Sequence, residues 1–133
     1  MELAATQNQN PEAIRVVVVD DEPLFVEMIK AMLASEEGIS VVASARNGRE
    51  GVSLANDLRP DVIVMDVSMP VMDGIEATRA IHEWDPHACV MILTGGTIPD
   101  DVDRARKAGA AAYLTKDQIA SDLVAEIRNL GSK

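Results

Sequence analysis

The sequence predicts one α/β domain in which five strands and five helices alternate as (βα)5 around a doubly wound parallel sheet. Two observations carry this prediction. Five short apolar runs alternate with segments whose apolar residues recur at helical spacing. Several of the runs, such as IRVVVV, are apolar at successive positions, which is typical of parallel strands that are covered on both faces.

The five predicted strands are short, and polar or turn-forming residues separate them from the helices. They span residues 14–19, 39–45, 61–65, 88–93 and 110–114. The chain ahead of the first strand, residues 1–13, is polar and rich in Asn and Gln. We therefore expect a flexible N-terminal tail over these residues and one domain over residues 14–133.

Helix signals follow each of the strands. Asn47 is a predicted N-cap of the second helix, which ends before Pro60, and the third helix is predicted over residues 73–84. The fourth helix is predicted to begin near Pro99, and Asp117 is a predicted N-cap of the fifth. The first helix has its predicted buried face, at helical spacing, on Phe25, Met28, Ile29, Met32 and Leu33.

Strands and helices of these lengths require right-handed crossovers, which place helices on both faces of the sheet. The predicted strand order is the flavodoxin-like one, 2-1-3-4-5. In such sheets ligands bind at the carboxyl ends of the strands, at the switch point beside the first strand. The residues that end the strands therefore decide the predicted function.

Polar residues end four of the five predicted strands, and the predicted order makes those four strands neighbours. Asp20 and Asp21 follow the first strand, Asp66 follows the third, Thr94 the fourth, and Lys116 comes shortly after the fifth. We expect these side chains to meet in one shallow cleft. Clustered carboxylates repel one another, so they predict a cation site, and carboxylate oxygens favour Mg²⁺. A carboxylate can also act as a nucleophile and form an aspartyl phosphate, while a lysine and Mg²⁺ neutralise the phosphoryl oxygens.

Taken together, these residues resemble the receiver domain of bacterial response regulators. The resemblance covers about residues 14–130. Asp117, where many receivers have proline, is similar to receivers that are joined to LuxR-type helix-turn-helix effectors. The matching positions are the pair Asp20–Asp21, Asp66 with SMPVMDG behind it, Thr94, and Tyr113 three residues before Lys116.

The resemblance implies a phosphoacceptor and a metal site. Asp66 would accept a phosphoryl group from a sensor histidine kinase or a phosphotransfer protein. Asp21 and Asp66 would hold Mg²⁺ directly, together with the backbone carbonyl of Ser68. Asp20 would reach the ion through water.

Three further positions would bind and sense the phosphoryl group. Lys116 would bind it, Thr94 would sense it, and the rotamer of Tyr113 would follow Thr94. The resemblance implies that phosphorylation changes a face that binds other proteins. This change would control an output, either transcription through a linked domain or the action of a stand-alone receiver. The resemblance also implies a homodimer that forms on phosphorylation. It implies that the chain is not an enzyme, apart from catalysing its own phosphorylation and dephosphorylation.

The sequence departs from the family pattern next to the site. Gly95 and Gly96 follow Thr94, where receivers usually have Ala or another small residue first. Two glycines give the backbone a broad range, so we expect an unusually mobile loop over residues 95–99. Ser68 and Gly96 stand where many receivers carry groups that steer the dephosphorylating water, and neither is an acid or an amide.

Composition narrows the function classes. The formal net charge of −10 argues against direct contact with nucleic acid. No apolar stretch approaches the ~18 residues of a membrane span, and the N-terminus lacks a signal-peptide pattern. The single cysteine, Cys89, fits a reducing, cytoplasmic setting and is predicted to be buried. His82 is predicted to lie on the surface, and Trp84 is predicted to be a packing residue.

Two other function classes fit parts of the pattern. A haloacid-dehalogenase-type phosphatase also uses a strand-end aspartate and Mg²⁺, but it needs a second aspartate two residues later, where this chain has Ser68. A nucleotide-binding domain needs a glycine-rich turn after the first strand, where this chain has DDEP. Residue by residue, plain structural interpretations remain: Asp66 capping its strand, Lys116 solvated, and Tyr113 a core tyrosine with its hydroxyl outward.

Overall fold

A computed structural model of the chain describes residues 12–95 and 99–132. The predicted tail therefore lies outside the described residues except for its last two positions, and so do residues 96–98 of the loop that is predicted to be mobile. The strands of the described part are β1 (Ile14–Val19), β2 (Ile39–Ala45), β3 (Val62–Asp66), β4 (Val90–Thr94) and β5 (Ala112–Thr115). Its helices are α1 (Pro23–Ala34), α2 (Gly48–Leu58), α3 (Gly74–Trp84), α4 (Pro99–Ala108) and α5 (Ile119–Gly131).

The sheet has the predicted topology. Its five strands are all parallel and lie in the order β2-β1-β3-β4-β5. One core cluster joins the sheet to α1 and α5, and the other joins it to α2, α3 and α4. Every residue of β3 and β4 is buried because both faces of these central strands are covered, which explains their unbroken apolar runs.

The last three strands begin and end one or two residues later than the sequence predicts. In the ladder, Asp66 pairs with Leu93, and Thr94 pairs with Thr115. A polar side chain does not interrupt backbone pairing, so the ladder continues past the apolar run that the prediction was based on. As a result Asp66 and Thr94 are the final strand residues, and the sheet fixes their backbone.

One predicted helix cap is confirmed, a second is wrong, and a further cap was not predicted. The Asn47 side chain accepts a hydrogen bond from the backbone N–H of Glu50 at 3.0 Å, as predicted. Asp73 and Glu76 form a reciprocal capping box that fixes the start of α3. The N-cap predicted at Asp117 is wrong, because a 3₁₀ turn over Lys116–Gln118 comes between β5 and α5 and the Asp117 carboxylate accepts from the Thr115 hydroxyl instead.

Several burial predictions need correction. Met28 is 43% exposed although it shares the periodicity of the buried face of α1, and Trp84, predicted to be a packing residue, is 73% exposed. Cys89 is only half-buried. His82 is half-buried rather than on the surface, and its Nε2 lies 2.8 Å from the backbone oxygen of Ala88. None of the helices within the described ranges is long and apolar enough to cross a membrane.

Candidate functional site

Three aspartates meet at the carboxyl edge of the sheet. Asp20 directly follows β1 and Asp66 ends the neighbouring β3, so parallel pairing places them side by side. One carboxylate oxygen from each of Asp20, Asp21 and Asp66 lies within 4.8 Å of the other two. Asp20 and Asp66 are buried while Asp21 is exposed, so the cluster opens to solvent on the side of Asp21.

Lys116 brings a positive charge to these carboxylates from the end of β5. Its Nζ lies 3.2 Å from Asp20 Oδ2 and 3.4 Å from Asp66 Oδ1. Two contacts that the sequence analysis missed hold the ammonium in place. Glu22 Oε1 lies 3.2 Å from the same Nζ, and the centroid of the Phe25 ring lies 4.2 Å from it, as in a cation–π contact.

The electrostatics of the cluster show an excess of negative charge. Burial and, to a smaller extent, the nearby Asp20 charge together raise the pKa of Asp66 to about 6, against the opposing effect of Lys116. Burial also raises the pKa of Asp20, although the backbone N–H of Glu22 donates to Asp20 Oδ1 at 2.9 Å. Burial acts to lower the pKa of Lys116, but the Asp66 and Asp20 carboxylates outweigh it, so this pKa is raised. A cation at the open side would relieve this repulsion.

The other predicted site residues divide into two groups. Thr94 and Ser68 line the same cleft as Asp66 and Lys116, so the cleft gathers every residue predicted to bind the metal or the phosphoryl group except Asp20, which lies buried beside it. Tyr113 is elsewhere: it pairs with Ile92 in the ladder and packs in the core cluster that faces α2, α3 and α4. Its hydroxyl is buried and has no hydrogen-bond partner among the described residues, so the interpretation with the hydroxyl outward is wrong.

Backbone contacts fix the loop between Asp66 and α3. The N–H of Gly74 donates to the Val67 carbonyl at 2.8 Å, and the N–H of Gly48 donates to the Met72 carbonyl at 3.0 Å. An added Cβ on Gly74 would lie 2.0 Å from the backbone oxygen of Asp66, so no side chain fits there. This loop therefore holds the start of α3 tightly against the residue that ends β3.

Comparison with known proteins identifies a family for this chain. Residues 16–128 match the family described as "Response regulator receiver domain". The chain belongs to the response regulator receiver family. The receiver domain is 40% identical over 117 residues to the response regulator GacA of Pseudomonas aeruginosa, with 88% of this chain and 55% of GacA covered. A solved LuxR-family two-component response regulator from Aurantimonas sp. SI85-9A1 has a TM-score of 0.85 and 35% identity, with 89% of this chain and 84% of that chain covered.

One further relative carries an enzyme name. The receiver domain is 39% identical over 127 residues to a protein-glutamate methylesterase/protein-glutamine glutaminase of Methanococcoides burtonii, which covers 88% of this chain and 36% of that protein. The receiver domain thus spans between about a third and a little over half of the length of these two curated relatives. The family match leaves the haloacid-dehalogenase-type phosphatase without support.

Proposed function

We propose that this receiver domain accepts a phosphoryl group on Asp66, in a Mg²⁺-dependent reaction, from the phosphohistidine of a sensor histidine kinase or a phosphotransfer protein. The observation that carries the proposal is the position of the Asp66 carboxylate, between an acidic pair and the Lys116 ammonium in an open cleft. One Asp66 oxygen attacks phosphorus, the phosphorus–nitrogen bond breaks, and the imidazole leaves with the bonding electrons and takes a proton from water.

The chain's own residues fit a hard divalent cation. Asp20 Oδ2 is buried, lies in an ion pair with Lys116, and has no hydrogen bond within the described residues, so one lone pair is free to face a metal or its water. Asp21 and Asp66 would hold Mg²⁺ directly with the Ser68 carbonyl, and Asp20 would act through water. When bound, the ion supplies positive charge that neutralises the phosphoryl oxygens.

Lys116 and Thr94 would position the transferred group. The Lys116 ammonium already rests on the Phe25 ring beside Asp66, so binding a phosphoryl oxygen requires only a small movement. With a pKa of about 6, the Asp66 carboxyl is mostly ionised at pH 7 and is ready to act as a nucleophile. Thr94 ends the neighbouring strand, where its hydroxyl can donate to a phosphoryl oxygen.

The proposed output is a change in the face formed by α4, β5 and α5. Thr94 lies two residues after Ile92, and Ile92 is the ladder partner of Tyr113. Side chains two residues apart on a strand point to the same face, so Thr94 and Tyr113 belong to the same side of the sheet. Movement of Thr94 toward the phosphoryl group would change the packing of Tyr113. The equilibrium between conformations of this face would then shift toward the one that the phosphorylated domain favours. The altered face would bind a partner or a second copy and so control an output, through a linked transcription-regulating domain or as a stand-alone receiver in the cytoplasm.

Phosphorylation at Asp66 is tested by intact-mass spectrometry after incubation with acetyl phosphate and Mg²⁺. We expect one phosphoryl adduct on the wild type, none on Asp66→Asn, and strong reduction of the adduct when EDTA replaces Mg²⁺. Asp57→Asn, which removes an exposed carboxylate in α2, is the matched control and should behave like the wild type. An adduct that persists in Asp66→Asn would refute the assignment.

The relay through Thr94 is tested by NMR with beryllofluoride as the phosphoryl mimic. In the wild type we expect chemical-shift changes from the cleft through Tyr113 to α5, and in Thr94→Ala we expect changes confined to the cleft. Thr94→Ser keeps the hydroxyl, so its chemical-shift changes should extend almost as far as those of the wild type. If Thr94→Ala and the wild type respond alike, Thr94 does not transmit the change.

A further inference from the structure

A second surface that combines an apolar cavity with charged residues lies at the amino-terminal ends of the strands, opposite Asp66. A small cavity of about 40 Å³ opens between α2 and α3, near the amino-terminal end of β3. Such a volume holds a few water molecules or the edge of a side chain and is far below the roughly 300 Å³ at which pockets for cofactors begin. The cavity is therefore suited to a side chain. Its apolar wall consists of Val52, Ala55, Ile63, Ile81 and Ala88.

The rim of this cavity carries one aromatic ring and two opposite charges. Trp84, the last residue of α3, is 73% exposed, which is unusual for so large an apolar side chain. Arg59 and Asp85 also line the cavity, and neither forms an ion pair with any described residue. Within the described part of the chain, the Asp85 carboxylate accepts a hydrogen bond from the backbone N–H of His87, through Oδ1 at 3.0 Å. We call Arg59, Trp84, Asp85 and the cavity the α2–α3 patch.

The backbone of Arg59 is held in a defined position. Arg59 ends α2 in a left-handed conformation with φ 48°. The Arg15 guanidinium donates to the carbonyls of Leu58 at 2.8 Å and Arg59 at 3.1 Å, which ties this turn to β1. The backbone that carries this cation at the rim is therefore fixed, so no backbone ordering is needed when the side chain forms an ion pair.

We propose that the α2–α3 patch binds the same patch of a second copy of this chain across a twofold axis. In a twofold interface each contact occurs twice, so the surface has to be complementary to itself. The patch meets this condition: its projecting Trp84 ring can cover the other copy's cavity, and Arg59 of each copy can pair with Asp85 of the other. This surface differs from the α4–β5–α5 face and does not depend on phosphorylation.

The size of the patch indicates a weak, reversible dimer. A buried tryptophan contributes about 150–250 Å² of apolar surface, so two of them with their surroundings fall in the range of small, transient interfaces. We expect a dissociation constant roughly between 10 μM and 1 mM. The measurement is sedimentation equilibrium of the unphosphorylated, metal-free chain, with Asp66→Asn expected to associate equally.

Trp84 also provides an optical readout, because it is the only tryptophan in the chain. Its fluorescence emission should move to shorter wavelength as concentration rises through the dissociation constant, since the ring leaves water. Trp84→Ala should weaken association at least tenfold. A wild type that stays monomeric to about 1 mM, beyond the weak limit expected here, overturns the proposal and leaves the patch to a partner of another kind.

A charge exchange makes the test specific for twofold pairing. Arg59→Glu alone and Asp85→Arg alone each place like charges opposite one another, so each should weaken self-association at least tenfold. Mixed in equal amounts, the two variants restore both ion pairs and should form a heterodimer close to wild-type affinity. This rescue also shows that both variants are folded.

The matched control is Arg79→Glu, which makes the same change in net charge at an exposed position of α3 outside the patch. It should self-associate like the wild type. A mixture of Arg59→Glu and Asp85→Arg that remains monomeric, while Arg79→Glu dimerises, would contradict twofold pairing through these residues.

Discussion

Asp66→Asn is expected to make the metal-free receiver domain more stable at pH 7, by about 1–3 kcal/mol. The ordinary pKa of an aspartate is 3.8, and in this fold the pKa of Asp66 is raised to about 6 because the carboxyl is buried beside Asp20. Ionising Asp66 therefore costs more in the folded chain than in the unfolded chain. Asparagine has nearly the same shape and no charge, so it removes this cost.

The sign of the pH dependence follows from proton binding. Between about pH 4 and pH 6 the folded state holds more protons at Asp66 than the unfolded state does. The stability contributed by this group is fully present below pH 3.8, falls as pH rises through 6, and stays low above that. The increase in the free energy of unfolding caused by Asp66→Asn should accordingly be near zero at low pH and reach its full value at neutral pH.

Urea unfolding of the wild type and Asp66→Asn in EDTA, at several pH values from about 4 to 7.5, measures this difference. Asp57→Asn should track the wild type. Adding Mg²⁺ should stabilise the wild type, since the proposed metal site forms only in the folded state, and should have a smaller effect on the variant. A constant difference across the pH range would show that the burial of the Asp66 charge is not its cause.

Gly74→Ala is expected to destabilise the domain by at least about 2 kcal/mol. The added Cβ would lie 2.0 Å from the Asp66 backbone oxygen and 3.0 Å from Met65 Cγ. Backbone atoms cannot turn away as a side chain can, so α3 and the end of β3 must separate. The shift displaces Asp66 itself, and phosphorylation by acetyl phosphate should slow as well.

Gly95→Ala is the matched control, because an added Cβ at Gly95 lies within 4 Å of no atom of the described residues other than its chain neighbours. Its stability should change by no more than about 0.5 kcal/mol in urea unfolding. Gly74→Ala with wild-type stability would mean that the loop after Asp66 adjusts without cost, and the close approach of α3 to β3 would then not be what positions Asp66.

The sequence alone predicts the topology and most of the site, because both follow from general rules. Parallel strands end at one edge of a sheet, so a polar residue after each apolar run places Asp20, Asp66, Thr94 and Lys116 together without any coordinates. The strand boundaries were less certain, since the apolar runs stop before the ladder does, as at Asp66.

What the sequence could not predict depends on side chains that meet across the fold. Phe25 follows the helical spacing of a core residue, yet its ring lies against an ammonium that is far away in sequence. Helical spacing also placed Met28 on the buried face, and Trp84 was predicted to pack, yet both side chains are exposed. Whether such a residue packs inward depends on how far the neighbouring helix reaches, which no local pattern records.

The contact between Lys116 and the aspartates can form only late in the synthesis of the chain. The three carboxylates belong to the first half of the chain, whereas Lys116 follows β5, the last strand and an edge of the sheet. Chains are synthesised from the N-terminus, so a ribosome-bound chain that ends before β5 carries the acidic cluster without its ammonium. If Asp66 accepts a phosphoryl group as proposed, an incomplete polypeptide would lack the ammonium that is proposed to bind this group. We expect that only a chain translated through its final strand competes for the phosphoryl donor.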